Sequence, residues 1–162
     1  MYFKQSDLLW GLDKQFVQKF IETSRKETHP KGFILFREGD PADFFFIMVK
    51  GSIRLSLGSQ GRTAYLVNHA GEAFGWSGLV DMEKYTASAE FSKETTLLRF
   101  DKNVVQEVAE NDPVNGLRFY RRLARMLGNR LINSYQYATD TVPDGLENTF
   151  GTGQGVASYT TP

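Results

Sequence analysis

Cysteine is absent from the 162 residues, which removes disulfides, thiolate metal sites, iron–sulfur clusters and a cysteine nucleophile. Histidine is nearly absent: His29 and His69 stand alone, with no second His or carboxylate at ligand spacing, so both read as surface residues and no metal site is expected. An excess of one charge is also missing, since 19 Lys+Arg balance 19 Asp+Glu. Proteins that grip nucleic acid along their whole surface are usually basic. No apolar run approaches the ~20 residues that span a bilayer. The start of the chain lacks the basic residues followed by an apolar run that export needs. These absences point to a cytoplasmic protein with no membrane partner. There is no Gly-x-Ser-x-Gly elbow, no Ser/His/Asp set and no pair of carboxylates in an activating pocket. Residues 151–155 are glycine-rich but lack a following Lys-Ser/Thr, so they make no phosphate loop. No catalytic residue is expected, and the protein reads as a non-enzyme.

What is present begins with aromatics, 14% of the chain and 13 of them Phe. The length suits one domain with an appendage. Ser6 and Asp13 are candidate helix caps, and Phe16, Val17, Phe20 and Ile21 share a helical face that ends near Ser24. From His29 to Phe100 short β-rich runs alternate with Gly/Pro turns, and strands are predicted over 33–37, 44–49, 52–57, 63–68, 86–91 and 95–100. Ile53, Leu55 and Leu57 alternate with Ser52, Arg54 and Ser56, which is the pattern of a strand with one wet face. The run from Phe74 to Val80 breaks the rhythm as a loop turning into a short helix. Asp101 caps a helix over 102–110, and Pro113 opens a long one over about 114–137. On it Leu117, Tyr120, Ala124, Leu127, Leu131 and Ser134 recur at a coiled-coil-like spacing. Leu123, Met126 and Ile132 lie off that seam, where they can pack on the barrel. Residues 138–162 form a Gly/Thr/Ser-rich tail with too little apolar mass for a core. The fold class is therefore mainly β with flanking α: a sandwich or barrel, N-terminal helices and a long C-terminal helix.

The glycine punctuation carries a resemblance. Pro30-Lys31-Gly32-x-x-Leu35-Phe36-x-Glu38-Gly39-Asp40, then Val49-x-Gly51-x-Ile53, Gly71-Glu72-x-Phe74-Gly75 and Thr86-Ala87-Ser88-Ala89, closely resemble the cyclic-nucleotide-binding domain of the catabolite-activator and FNR type. The likeness covers about residues 6–137, essentially everything before the tail, and the domain is placed at 1–137. It implies a double-stranded β-roll of the jelly-roll kind, whose last long helix pairs two subunits through Leu117, Tyr120, Ala124, Leu127 and Leu131. It also implies a ligand seat at Phe74, Gly75, Trp76, Ser77, Gly78, Leu79, Tyr85, Thr86 and Ala87, with Arg130 of the long helix as a further contact.

In this family a Glu just after the Phe-Gly step accepts the ribose hydroxyl, and an Arg before the Thr/Ser-Ala pair binds the cyclic phosphate. Trp76 and Tyr85 occupy those places here. An indole N–H only donates, and a phenol carries no cation. Losing one charge-assisted contact costs about 1.5–3 kcal/mol. Lys84 stands beside Tyr85, but neighbours in a strand face opposite sides. Arg130 can replace the missing cation or pair with Glu72 or Glu90. Two readings of the rings stay open: they stack on a ligand, or they fill the pocket themselves.

The expected function is a stand-alone sensor domain. It binds a cyclic nucleotide or another small anion and signals through a homodimer helix to an unidentified protein partner. The alternative is a ligand-free interaction module whose pocket is closed by aromatic side chains. The residues after the long helix cannot build a winged helix, so direct DNA binding is not expected.

Overall fold

The computed structural model describes residues 6–139, so the expected tail lies outside the described residues except for 138 and 139, which are helical. The element order is α1 (Lys14–Glu22), β1 (Arg25–His29), β2 (Ile34–Phe36), β3 (Phe44–Lys50), β4 (Ile53–Leu57), β5 (Arg62–Val67), β6 (Ala73–Phe74), a 3-10 turn (Trp76–Val80), β7 (Ser88–Phe91), β8 (Thr95–Asp101), α2 (Lys102–Asn111) and α3 (Pro113–Thr139). The strands form two four-stranded sheets, β1-β8-β3-β6 and β2-β7-β4-β5, and all named pairings are antiparallel. This is the expected β-roll. The chain divides into two compact units, 1–126 and 127–162, with the division inside α3. The first holds both sheets, and what is described of the second is the helix from 127 to 139.

Two elements escape the sequence pattern. β1 is polar on both faces, so alternation gives no sign of it; it forms because β8 offers an unpaired edge. Its five residues pair in unbroken register with that strand, from Arg25 opposite Arg99 to His29 opposite Thr95. Side chains reinforce the pairing: Thr28 and Thr96 share a hydroxyl bond of 2.8 Å, and Arg99 meets Glu27 at 3.0 Å. β6 is only two residues long, too short to carry a period. β7 starts later than expected because residues 83–85 are drawn off into a separate pairing, described below.

The two faces of the first sheet bury different cores. Phe36, Phe46, Met48, Ile53, Phe74, Phe91 and Leu97 fill the space between the sheets. On the opposite face Phe45 and Phe100 meet the helices: Phe100 lies 4.7 Å from Phe20 of α1 and 5.8 Å from Phe45, and Phe20 lies 5.2 Å from Phe119 of α3. Asp101 caps α2 as expected, accepting from the N–H groups of Asn103 at 2.8 Å and Val104 at 3.4 Å. Asp13 does not cap α1 with its side chain. Its carboxylate instead accepts from buried Asn115 at 2.9 Å, and Asn115 also donates to Asp112 at 2.8 Å, a bond that holds the Asp112 carboxyl below its ordinary range. The amide thus ties the starts of α1 and α3 together.

Leu123, off the seam, is buried, and Ile132 is 54% exposed. Phe100 sits where sheet and helices meet. Phe100→Ala is expected to cost about 3–5 kcal/mol, because the flanking rings cannot collapse into the void. Urea denaturation monitored by circular dichroism checks this, and a loss below 1 kcal/mol contradicts the packing.

Candidate functional site

The segment from Phe74 to Ala87 is set against the inside of the roll by close backbone packing. Phe74 is buried, its ring 5.2 Å from that of Phe46. Gly75 turns the chain with a left-handed φ of +68°, and a Cβ there would press into the Phe46 ring. Gly78 has no room for a side chain, because a Cβ would run into the carbonyl oxygen of Ala42. Ser77 and Leu79 are buried beside it, and Trp76 is half-buried. The turn ends at Asp81, the one non-glycine residue with positive φ among those described (+59°).

The return of the chain is strapped to the loop after β2. Ala42 N–H donates to Glu83 O, Tyr85 N–H to Asp40 O and Gly39 N–H to Tyr85 O, each at 2.9 Å. That pairing drives the Tyr85 side chain inward, where it is only 5% exposed. Its ring stacks on Phe36 at 3.8 Å and 15°. The hydroxyl donates to the carbonyl of Phe44 at 2.7 Å and accepts from the N–H of the same residue at 3.2 Å. Burial is the main force that pushes the phenol up to about 12; Asp43 and Asp40 add to it, while the Phe44 bond and Arg99 oppose it. Thr86 is exposed and Ala87 half-buried. Arg130 is half-buried in the second unit. Glu90, one partner considered for Arg130, is held by Arg54 at 2.5 Å.

One cation on the inner face escaped sequence reasoning. Arg99 is in register with Phe46, which is in register with Phe74, so the guanidinium belongs to the face that lines the roll. It lies 4.6 Å from the centre of the Phe44 ring and pairs with Glu27. Glu27 in turn meets His29 at 3.2 Å, and the His29 ring stacks on Phe33 at 4.1 Å. His29 is therefore part of a network at the rim of the roll rather than an isolated surface residue. Among the described residues no cluster of His, Asp or Glu is arranged to hold a metal.

A family model described as "Cyclic nucleotide-binding domain" matches residues 26–112, which span both sheets and the segment just described. The chain belongs to the cyclic nucleotide-binding domain family. The cyclic AMP receptor protein of Thermus thermophilus is 33% identical over 98 residues, covering 59% of this chain and 45% of the relative. A cyclic nucleotide-binding domain from Methylobacillus flagellatus superposes with a TM-score of 0.74 at 22% identity, covering 83% of this chain and 77% of that one. The sensor domain of the transcriptional regulator DNR from Pseudomonas aeruginosa gives 0.66 at 20% identity, covering 91% and 94%. This chain spans less than half the length of the curated relatives it matches.

In this member of the cyclic nucleotide-binding domain family, packing against Phe46 and Ala42 fixes the turn at Gly75 and Gly78. The Tyr85 side chain is uncharged, buried and bonded at both of its hydrogen-bonding positions, and the Trp76 indole has no acceptor. Arg99, a cation on the inner face, is paired with Glu27.

Tyr85→Phe keeps the ring stack and strips the Phe44 N–H and C=O of their partner, with an expected cost of about 1–3 kcal/mol. The folded chain keeps the Tyr85 proton to about 12, while unfolded tyrosine loses it near 10. The native state therefore holds stability below pH 10 that disappears as pH climbs toward 12, roughly 2–3 kcal/mol in all. Denaturation curves between pH 9 and 12, compared with those of Tyr85→Phe, should show this decline in the parent and a flatter profile in the variant. Parallel profiles would contradict it.

Proposed function

We propose that this domain is a regulatory, non-catalytic module that pairs with a second copy through α3 and is not switched by cyclic nucleotides. The observation that carries the reading is the Tyr85 side chain: stacked on Phe36 and bonded to Phe44, it stands where the family's phosphate contact comes from. For an effector to lodge between the turn at 75–79, Tyr85-Thr86 and the long helix, the tyrosine has to leave. That departure exposes the Phe44 backbone and breaks the stack. A ligand without an Arg or Glu to meet it has little to offset this loss. The reading is therefore the module whose pocket is closed by aromatic side chains.

Pairing rests on the seam of α3. Leu117 is 62% exposed and Leu131 50%, and at the seam spacing they share one helix face with Tyr120, Ala124 and Leu127. Burying one such leucine stabilises an assembly by about 1.5–3 kcal/mol. A separate protein, not yet identified, then reads the paired helices. A cytoplasmic setting fits a chain without cysteine, in which no described helix is long and apolar enough to cross a membrane.

Isothermal titration with cAMP and with cGMP should give no saturable heat with the parent chain. The double variant Trp76→Glu/Tyr85→Arg, which returns both anchors of the family, should acquire it. Saturable micromolar binding by the parent overturns the closed-pocket reading. Sedimentation should show a dimer whose mass is indifferent to either nucleotide, and Leu117→Glu/Leu131→Glu should sediment as a monomer. A parent that is monomeric at tens of micromolar contradicts the pairing.

A further inference from the structure

The outer face of the second sheet carries a groove that the roll interior does not use. Alternation places Ile34 of β2, Glu90 of β7, Arg54 of β4 and Leu66 of β5 in one cross-strand row on this face, opposite the side that bears Ile53 and Ala89. The next row brings together Ser88, Ser56 and Thr63. Beyond the serines the turns at 37–39 and 58–61 rise as two walls. They are joined where Glu38 accepts from the N–H of Gly58 at 2.7 Å, and the N–H of Glu38 donates to Ser88 Oγ at 2.9 Å. The groove is open to solvent and has a volume of about 620 Å³. Gly39, Gly58 and Gly61 line the walls, and a Cβ at any of them would meet nothing, so no side chain fills the opening.

Two groups in the groove lack side-chain partners among the described residues. Ser56 is only 8% exposed, yet its hydroxyl makes no hydrogen bond with any described residue. The hydroxyl opens onto the groove, where a ligand or ordered water is its natural partner. Arg37 lines the groove with a guanidinium that has no ion pair or hydrogen bond among the described residues. The other charged groups are in use on one side only: Arg54 pairs with Glu90 at 2.5 Å and reaches the carbonyl of Gly61 at 3.5 Å.

We propose that this groove binds a small zwitterion, a free α-amino acid or a short peptide. Its carboxylate would meet Arg37, its ammonium the free oxygen of Glu90, and one polar atom would take up the Ser56 hydroxyl. Charge decides the class. Arg37 and Arg54 balance Glu38 and Glu90, so a simple anion meets two carboxylates and a simple cation two guanidiniums. A sugar would lack its usual stacking ring, since no aromatic side chain lines the groove. Ile34 at one side gives an apolar patch to a side chain of the ligand. The groove lies on the opposite face of the sheet from Tyr85, so the proposal stands independently of the closed pocket.

The test is amide NMR of the full chain, titrated to millimolar concentration with each proteinogenic L-amino acid, with glycylglycine, and with acetate, ammonium and glucose as controls. At least one amino acid or the dipeptide should shift the amides of Gly39, Gly58, Ser59 and Ser88 saturably, and the two kinds of probe distinguish a free amino acid from a peptide. Arg37→Ala and Glu90→Gln should each weaken binding by about tenfold or more. Ser56→Ala should weaken it as well while leaving the unfolding midpoint unchanged, which a serine needed only for folding would not do. The proposal is overturned if no amino acid or dipeptide shifts these amides saturably, if a control alone does so equally well, or if Ser56→Ala and Arg37→Ala bind like the parent.

Discussion

A single phenol hydroxyl, shared between the N–H and the C=O of Phe44, holds the interior of this roll in its present form. The hydroxyl can reach that place only because residues 83–85 are strapped to residues 39–42, and the strap in turn pulls β7 to a late start at Ser88. Phe36, Phe46 and Phe74 then close around the ring. Tyr85 supplies its own packing and satisfies its own polar atom. Buried polar groups are tolerated when they are bonded, and this one is bonded twice.

The two sheets have unequal fates. The outer face of the first is covered by α1 and α3 through Phe20, Phe100 and Phe119, so it contributes stability. The outer face of the second carries the open groove, with its serines and paired charges. The glycine turn survives because it is a packing requirement here: Gly75 lies against Phe46, and Gly78 against the Ala42 backbone, whatever the pocket holds.

Much of this was legible in the residues. The Gly and Pro punctuation marks the turns, the alternation of Ile53 to Leu57 marks β4, and Asp101 marks the start of α2. Tyr85 before Thr86 was visible too, but the way its side chain faces was not, since a tyrosine can face a ligand as readily as a neighbour's backbone. Arg99 was hidden for a different reason. Leu97-Leu98-Arg99-Phe100 has apolar residues in both phases because both faces of β8 are buried, so a period of two cannot say which core the arginine joins. β1 failed in the opposite way, with polar residues in both phases. The groove was half legible: the outward phase of Arg54 and Ser56 is in the pattern, while its walls come from two turns twenty residues apart that only the fold brings together.

The most direct measurement of the central claim is the hydroxyl proton of Tyr85, observed by NMR in water with and without millimolar cAMP. The account predicts a slowly exchanging resonance, in contact with the Phe44 amide and unmoved by the nucleotide. A hydroxyl that exchanges freely with water, or that shifts saturably as cAMP is added, would contradict it.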